Sequence, residues 1–143
     1  MEKLKLALSL LNKALNTLDK ALIYLEKVNQ DKNKEAIEAA KDSIIKRFEY
    51  SYDSFWKFLK KYLELKYNLE DVNSPKSVFR ACVKHEICSA QEGELLIDMV
   101  DDRNETTHNY DIEKVRKILP DIKPYYVCIT KVIERIEITL DNK

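Results

Sequence analysis

Residues 4–28 read LKLALSLLNKALNTLDKALIYLEKV, and their pattern decides the fold class. Leu4, Leu8, Leu11, Leu15, Leu18, Leu22 and Leu25 recur at alternating spacings of four and three, while Ala7, Ala14, Ala21 and Val28 return every seventh residue beside them. A helix of about 3.6 residues per turn gathers such positions into one apolar stripe, which the two-residue repeat of a strand would scatter over both faces. The spacing predicts a long first helix that ends in the polar turn Asn29 to Asn33.

Beyond that turn, Ile37, Ile44, Phe48, Phe55, Leu59 and Tyr62 mark the inward stripe of a second long helix. Asn68 to Asn73 is the next loop. Ser74 followed by Pro75 supplies an N-cap and a residue pre-set for the first helical position, so a short helix is expected through about Lys84. Ser89 with Glu92 forms a capping box that opens another helix, expected to run to about Thr106. Asp111 caps the last segment, whose Ile112, Val115, Ile118 and Leu119 precede Pro120 and whose Tyr126, Ile129, Val132, Ile133, Ile136 and Leu140 follow Pro124; a kink or restart is expected between the prolines. Short turns make neighbouring helices antiparallel. The expectation is an all-α chain, an antiparallel up-and-down four-helix bundle with an additional short helix, forming a single domain over residues 1–143.

Between positions 48 and 67 lie Phe48, Tyr50, Tyr52, Phe55, Trp56, Phe58, Tyr62 and Tyr67, eight of the thirteen aromatics. That exceeds what one inward face holds, so some of them are expected to meet a dimer or partner surface.

Composition narrows the chemistry. The 143 residues are 45% hydrophobic and 35% charged, the mixture that helices with one dry and one wet face require. A single glycine, Gly93, excludes the glycine-rich loops that cradle phosphates in P-loop and dinucleotide-binding folds. With 25 basic and 25 acidic residues there is no broad positive field for nucleic acid, so any RNA contact must be local. Cys82, Cys88 and Cys128 are odd in number and lack Cys-x-x-Cys spacing, which reads as reduced, mostly buried thiols and a cytoplasmic setting. Lys3 and Lys5 precede a short apolar run that Lys13 interrupts, so the amino terminus reads as helix and not as a signal peptide, and no membrane span is expected.

One constellation carries chemistry. On the fourth helix the apolar phase runs Leu96, Val100, and the next position on that face is Arg103, where burial begins. With the helix giving out near Thr106, His108 and Tyr110 belong to the following turn and can fold back over the end that bears Arg103. Arginine is a permanent fork of donors suited to phosphate oxygens, and histidine takes and gives protons near neutrality. Together they suit phosphodiester cleavage without a metal or other cofactor, with His108 moving protons at the ribose 2′-hydroxyl or leaving 5′-oxygen and Arg103 stabilising developing charge. Only RNA carries that hydroxyl. The plainer alternative is that Asp98, Asp101, Asp102 or Glu105 satisfies Arg103 as an ordinary ion pair, that His108 caps the helix and that Tyr110 packs at the turn.

The run Arg103-Asn104-Glu105-Thr106-Thr107-His108-Asn109-Tyr110 resembles the Arg-x(4–6)-His-x-Tyr signature of HEPN domains. Arg47 to Lys57, Ser74 to Arg80 and Glu94 to Asn104 resemble the nucleotidyltransferase substrate-binding branch of that superfamily, so the resemblance extends from the second helix onward. It implies a four-helix bundle that forms a homodimer and works with a separate minimal nucleotidyltransferase, as in HepT/MntA toxin and antitoxin pairs. It implies RNA as substrate, cleaved without metal to a cyclic phosphate by Arg103 and His108 at a dimer cleft, with Asn104 and Asp102 supporting. It also implies that Tyr110 receives an ATP-derived nucleotide from the partner, which silences the nuclease. Two further readings stand beside this one: a noncatalytic subunit that docks a nucleotidyltransferase and presents its substrate, and a plain scaffold built on the leucine repeat.

Overall fold

The computed structural model describes residues 1–108 and 111–141, with backbone alone at residue 108. Six helices follow in order: α1 (Glu2–Asp31), α2 (Lys34–Tyr67), α3 (Pro75–Lys84), α4 (Ala90–His108), α5 (Ile112–Arg116) and α6 (Leu119–Asp141). The protein is an all-α helical bundle, in which α1, α2, α4 and α6 are long and α3 and α5 are short. The expected single additional helix is therefore two.

Local chemistry sets most of the boundaries. Lys32 closes α1 in the left-handed region at φ 56°, and its N–H donates to the Asn29 carbonyl. The Asn33 side chain then accepts from the Ala36 amide at 3.1 Å to start α2. Ser74 and Ser77 satisfy each other's backbone amides ahead of α3, at 3.2 and 3.0 Å. Ser89 and Glu92 do the same ahead of α4, at 3.1 and 2.8 Å. Asp111 accepts from the Glu113 amide at 3.0 Å.

The last segment departs from expectation. The chain breaks at Lys117 and Ile118, before Pro120, and Pro124 lies inside α6. Pro120 is the second residue of α6, where its fixed φ fits and its missing N–H removes nothing, so the proline begins a helix instead of ending one.

Leu4, Leu11, Leu15, Leu18, Ala21 and Val28 of α1 are buried, and Leu8, Leu22 and Leu25 pack at the margin of the same core. The two long helices α1 and α2 lie against each other as a hairpin, and α2 also meets α3, α4 and α6. That central position answers the aromatic surplus. Phe48, Tyr52, Phe55, Phe58 and Tyr62 are buried, Trp56 and Tyr67 are half-buried, and only Tyr50 of the eight is exposed. A helix with neighbours on several sides has more than one inward face, so the core takes rings that a single stripe could not. Phe48 stacks on Tyr125 of α6 with centroids 5.9 Å apart, and Phe55 on Phe79 of α3 at 5.7 Å.

Gly93 marks the closest approach of α3 and α4, because a Cβ there would overlap the Val83 Cγ2 methyl. Cys82, Cys88 and Cys128 are buried free thiols, and burial pushes the Cys128 thiol up to about 12. Among the described residues no helix is long and apolar enough to cross a membrane.

Candidate active site at the end of α4

Leu96, Met99 and Val100 carry the buried face of α4, and Arg103 continues it with its side chain 17% exposed. The guanidinium reaches acids of another helix. Its Nη1 lies 3.0 Å from Glu49 Oε2, and Nη2 lies 3.6 Å from Asp53 Oδ2, both carboxylates belonging to α2. Nη1 also donates to Thr106 Oγ1 at 3.2 Å and to Thr107 Oγ1. The single Thr106 hydroxyl proton is shared between Glu49 Oε2 at 3.0 Å and the Arg103 carbonyl at 2.7 Å, which closes a small ring of polar contacts. Beneath it the Tyr52 ring lies 5.9 Å from the guanidinium carbon, and Arg103 Nε is buried without a partner.

Residues one or two apart on a helix point in different directions, which explains why Asp101 and Asp102 do not pair with Arg103. Asp101 holds Lys76 of α3 at 2.8 Å. Asp102 accepts a hydrogen bond from the Tyr125 hydroxyl of α6. Asp102 thus ties α4 to α6. Burial raises its carboxyl above the ordinary 3.8, although the Tyr125 bond pulls the other way. Burial foremost, then the hydrogen bond and charge of Asp102, push the Tyr125 phenol up. The Tyr52 hydroxyl is pushed up to about 12, chiefly by burial and next by the Asp53 charge, so it stays a neutral phenol.

Helix α4 runs through His108, two residues past its expected end, so residue 108 closes the helix instead of opening the turn. Asn104 is exposed on the same helix. The His108 side chain, Asn109 and Tyr110 lie outside the described residues, and the expected meeting of three polar tips lies outside them too.

Sequence reading missed Glu49, Asp53, Tyr52 and Tyr125. A signal for the first two exists, because like charges four apart on one helix face repel unless a cation joins them. Among the described residues no group of three or more His, Cys, Asp or Glu side chains is placed to hold a metal ion.

A family profile described as "nucleotidyltransferase substrate binding protein like" matches residues 3–138. The chain belongs to this family. The match takes in α1, which the sequence motifs left to pattern alone. A crystal structure of a Thermus thermophilus protein is similar to this member of the family, with 32% identity and a TM-score of 0.74 over 87% of this chain and 97% of that one. Comparison with curated proteins finds no match.

Proposed function

We propose that this family member is a metal-independent endoribonuclease, the toxin half of a toxin and antitoxin pair whose other half is a separate minimal nucleotidyltransferase. The observation that carries the reading is the spacing Arg103-x(4)-His108-x-Tyr110 at the C-terminal end of α4, with the arginine anchored where α4 meets α2. The resemblance to the branch implies that the arginine and histidine of two copies face a shared cleft, so in this reading the active unit is a homodimer.

In the reaction the RNA 2′-oxygen attacks phosphorus, the bond to the 5′-oxygen breaks, and a cyclic phosphate and a 5′-hydroxyl remain. His108 takes the 2′-proton or supplies the proton to the leaving oxygen, Arg103 neutralises the phosphoryl oxygens, and Asn104 assists. No cofactor takes part. Transfer of a nucleotide from ATP to the Tyr110 oxygen, with loss of pyrophosphate, places an anion beside Arg103 and silences the enzyme. The setting is cytoplasmic, and residues 1–143 act as one domain.

Arg103→Ala or His108→Ala in the full chain should abolish RNA cleavage and growth inhibition while far-UV circular dichroism is retained. Full activity in either variant overturns the proposal.

One observation favours a second reading, a noncatalytic subunit that presents substrate to the nucleotidyltransferase. Both terminal nitrogens of Arg103 are already engaged by Glu49, Asp53, Thr106 and Thr107, and the two carboxylates oppose an incoming phosphate. Copurification with a nucleotidyltransferase, together with no RNA cleavage by the purified chain, selects that reading.

A further inference from the structure

The α5 helix is five residues long and none of them is buried. Apolar burial therefore does little to hold it. Ile112 is 62% exposed, while Val115 is half-buried against the core and lines a 160 Å³ gap over Ile45 and Lys46 of α2. The polar hold on α5 comes from its last residue. Arg116 Nη1 pairs with Glu38 Oε2, and Nη2 lies 2.7 Å from Asp42 Oδ1 and donates to the Glu38 carbonyl at 3.4 Å. The arginine side chain is only 18% exposed although its partners are 55% and 66% exposed, and its Nε is buried without a partner.

This arrangement repeats the one around Arg103. Each arginine sits across two α2 carboxylates spaced four apart, Glu38 with Asp42 and Glu49 with Asp53, and each leaves Nε unpaired in the contact. The two carboxylate pairs lie about three helical turns apart on α2. One arginine precedes the α4–α5 connection and the other follows it.

We propose that Arg116, with Glu38 and Asp42, is a positioning clamp that ties α5 to α2, as Arg103 with Glu49 and Asp53 ties the last turns of α4. The pair of clamps fixes both flanks of the connection between them. The consequence for catalysis rests on the ribonuclease reading: with one flank loose, substrate still binds but the reacting groups are held less well, so the loss falls on kcat.

The test is hydrogen exchange of the full chain together with steady-state cleavage of a single-stranded RNA. In Arg116→Ala the α5 amides should exchange about tenfold faster or more, while those of α1, α2 and α6 keep their rates. The same variant should lose about tenfold in kcat with KM within about twofold. Arg116→Lys should fall between, and the reversed pair Asp42→Arg with Arg116→Glu should recover both readouts, which a merely structural loss would not. Unchanged α5 exchange in Arg116→Ala overturns the clamp, as does faster exchange with unchanged kcat. If the unsubstituted chain cleaves no RNA, the ribonuclease reading falls instead, and the clamp is decided by exchange and its recovery in the reversed pair.

Discussion

Two edges of α2 hold their neighbours by different forces. Along one, Phe48, Phe55, Phe58 and Leu59 are fully buried against α1, α3 and α6, and the attraction is removal of apolar surface from water. Along the other, Glu38, Asp42, Glu49 and Asp53 hold Arg116 and Arg103, and the attraction is charge at a partly wet margin. The first is worth about 1.5–3 kcal/mol per large side chain, the second about 0–1 kcal/mol per exposed pair. The apolar edge therefore sets whether the chain folds, and the charged edge sets where the end of α4 and the α5 helix rest once it has.

Substitutions at the apolar edge should have the largest effect. Phe55 is fully buried and stacks on Phe79, so Phe55→Ala should lower unfolding free energy by about 3–5 kcal/mol in urea titrations. A loss below about 1 kcal/mol would mean that the contrast between the edges is misdrawn.

Gly93→Ala tests the same contrast on α4 with two opposed terms. Alanine gains about 1 kcal/mol in helix propensity, but the added methyl meets Val83, and overpacking of this kind costs about 1–3 kcal/mol. The expected result is a net loss of about 1 kcal/mol by thermal unfolding, and a gain would show that α3 can retreat from α4 at little cost.

The smallest effect belongs to Asp102, between the two regimes. Its carboxyl is raised above 3.8 in the folded chain, mainly by burial, so the folded state holds the proton more tightly than the unfolded one. The sign follows: this group subtracts stability progressively as pH rises through the window just above 3.8. Asp102→Asn keeps an acceptor for Tyr125 and removes the charge. Its melting temperature relative to the unsubstituted chain should therefore climb between about pH 3 and about pH 6, and a relative fall over that interval would contradict the sign.

Much of the bundle was legible because its signals are local. Leucine spacing in α1, the Ser74–Pro75 start, the Ser89–Glu92 box and the Asp111 cap each involve residues within a turn or two of one another. What escaped was set by long-range packing. The aromatic surplus looked like an external surface only because nothing in α2 itself tells how many helices surround it. The break before Pro120 follows the end of α5 at Arg116, whose partners Glu38 and Asp42 are distant in sequence. At the candidate site, Arg103 was legible from the apolar phase of α4, whereas its partners Glu49 and Asp53 lie about fifty residues away in sequence. Helix α4 continues past Thr106 to His108, as threonines whose hydroxyls reach back to the Arg103 carbonyl can remain helical.

The most direct test of the ribonuclease reading is cleavage of a single-stranded RNA by the purified chain in a metal chelator, with its all-deoxy counterpart as control and the product ends identified. Only RNA should be cut, the ends should be a cyclic phosphate and a 5′-hydroxyl, and Arg103→Ala should remove the activity. An unsubstituted chain that leaves RNA intact, or an Arg103→Ala variant that cuts it at full rate, would contradict that reading.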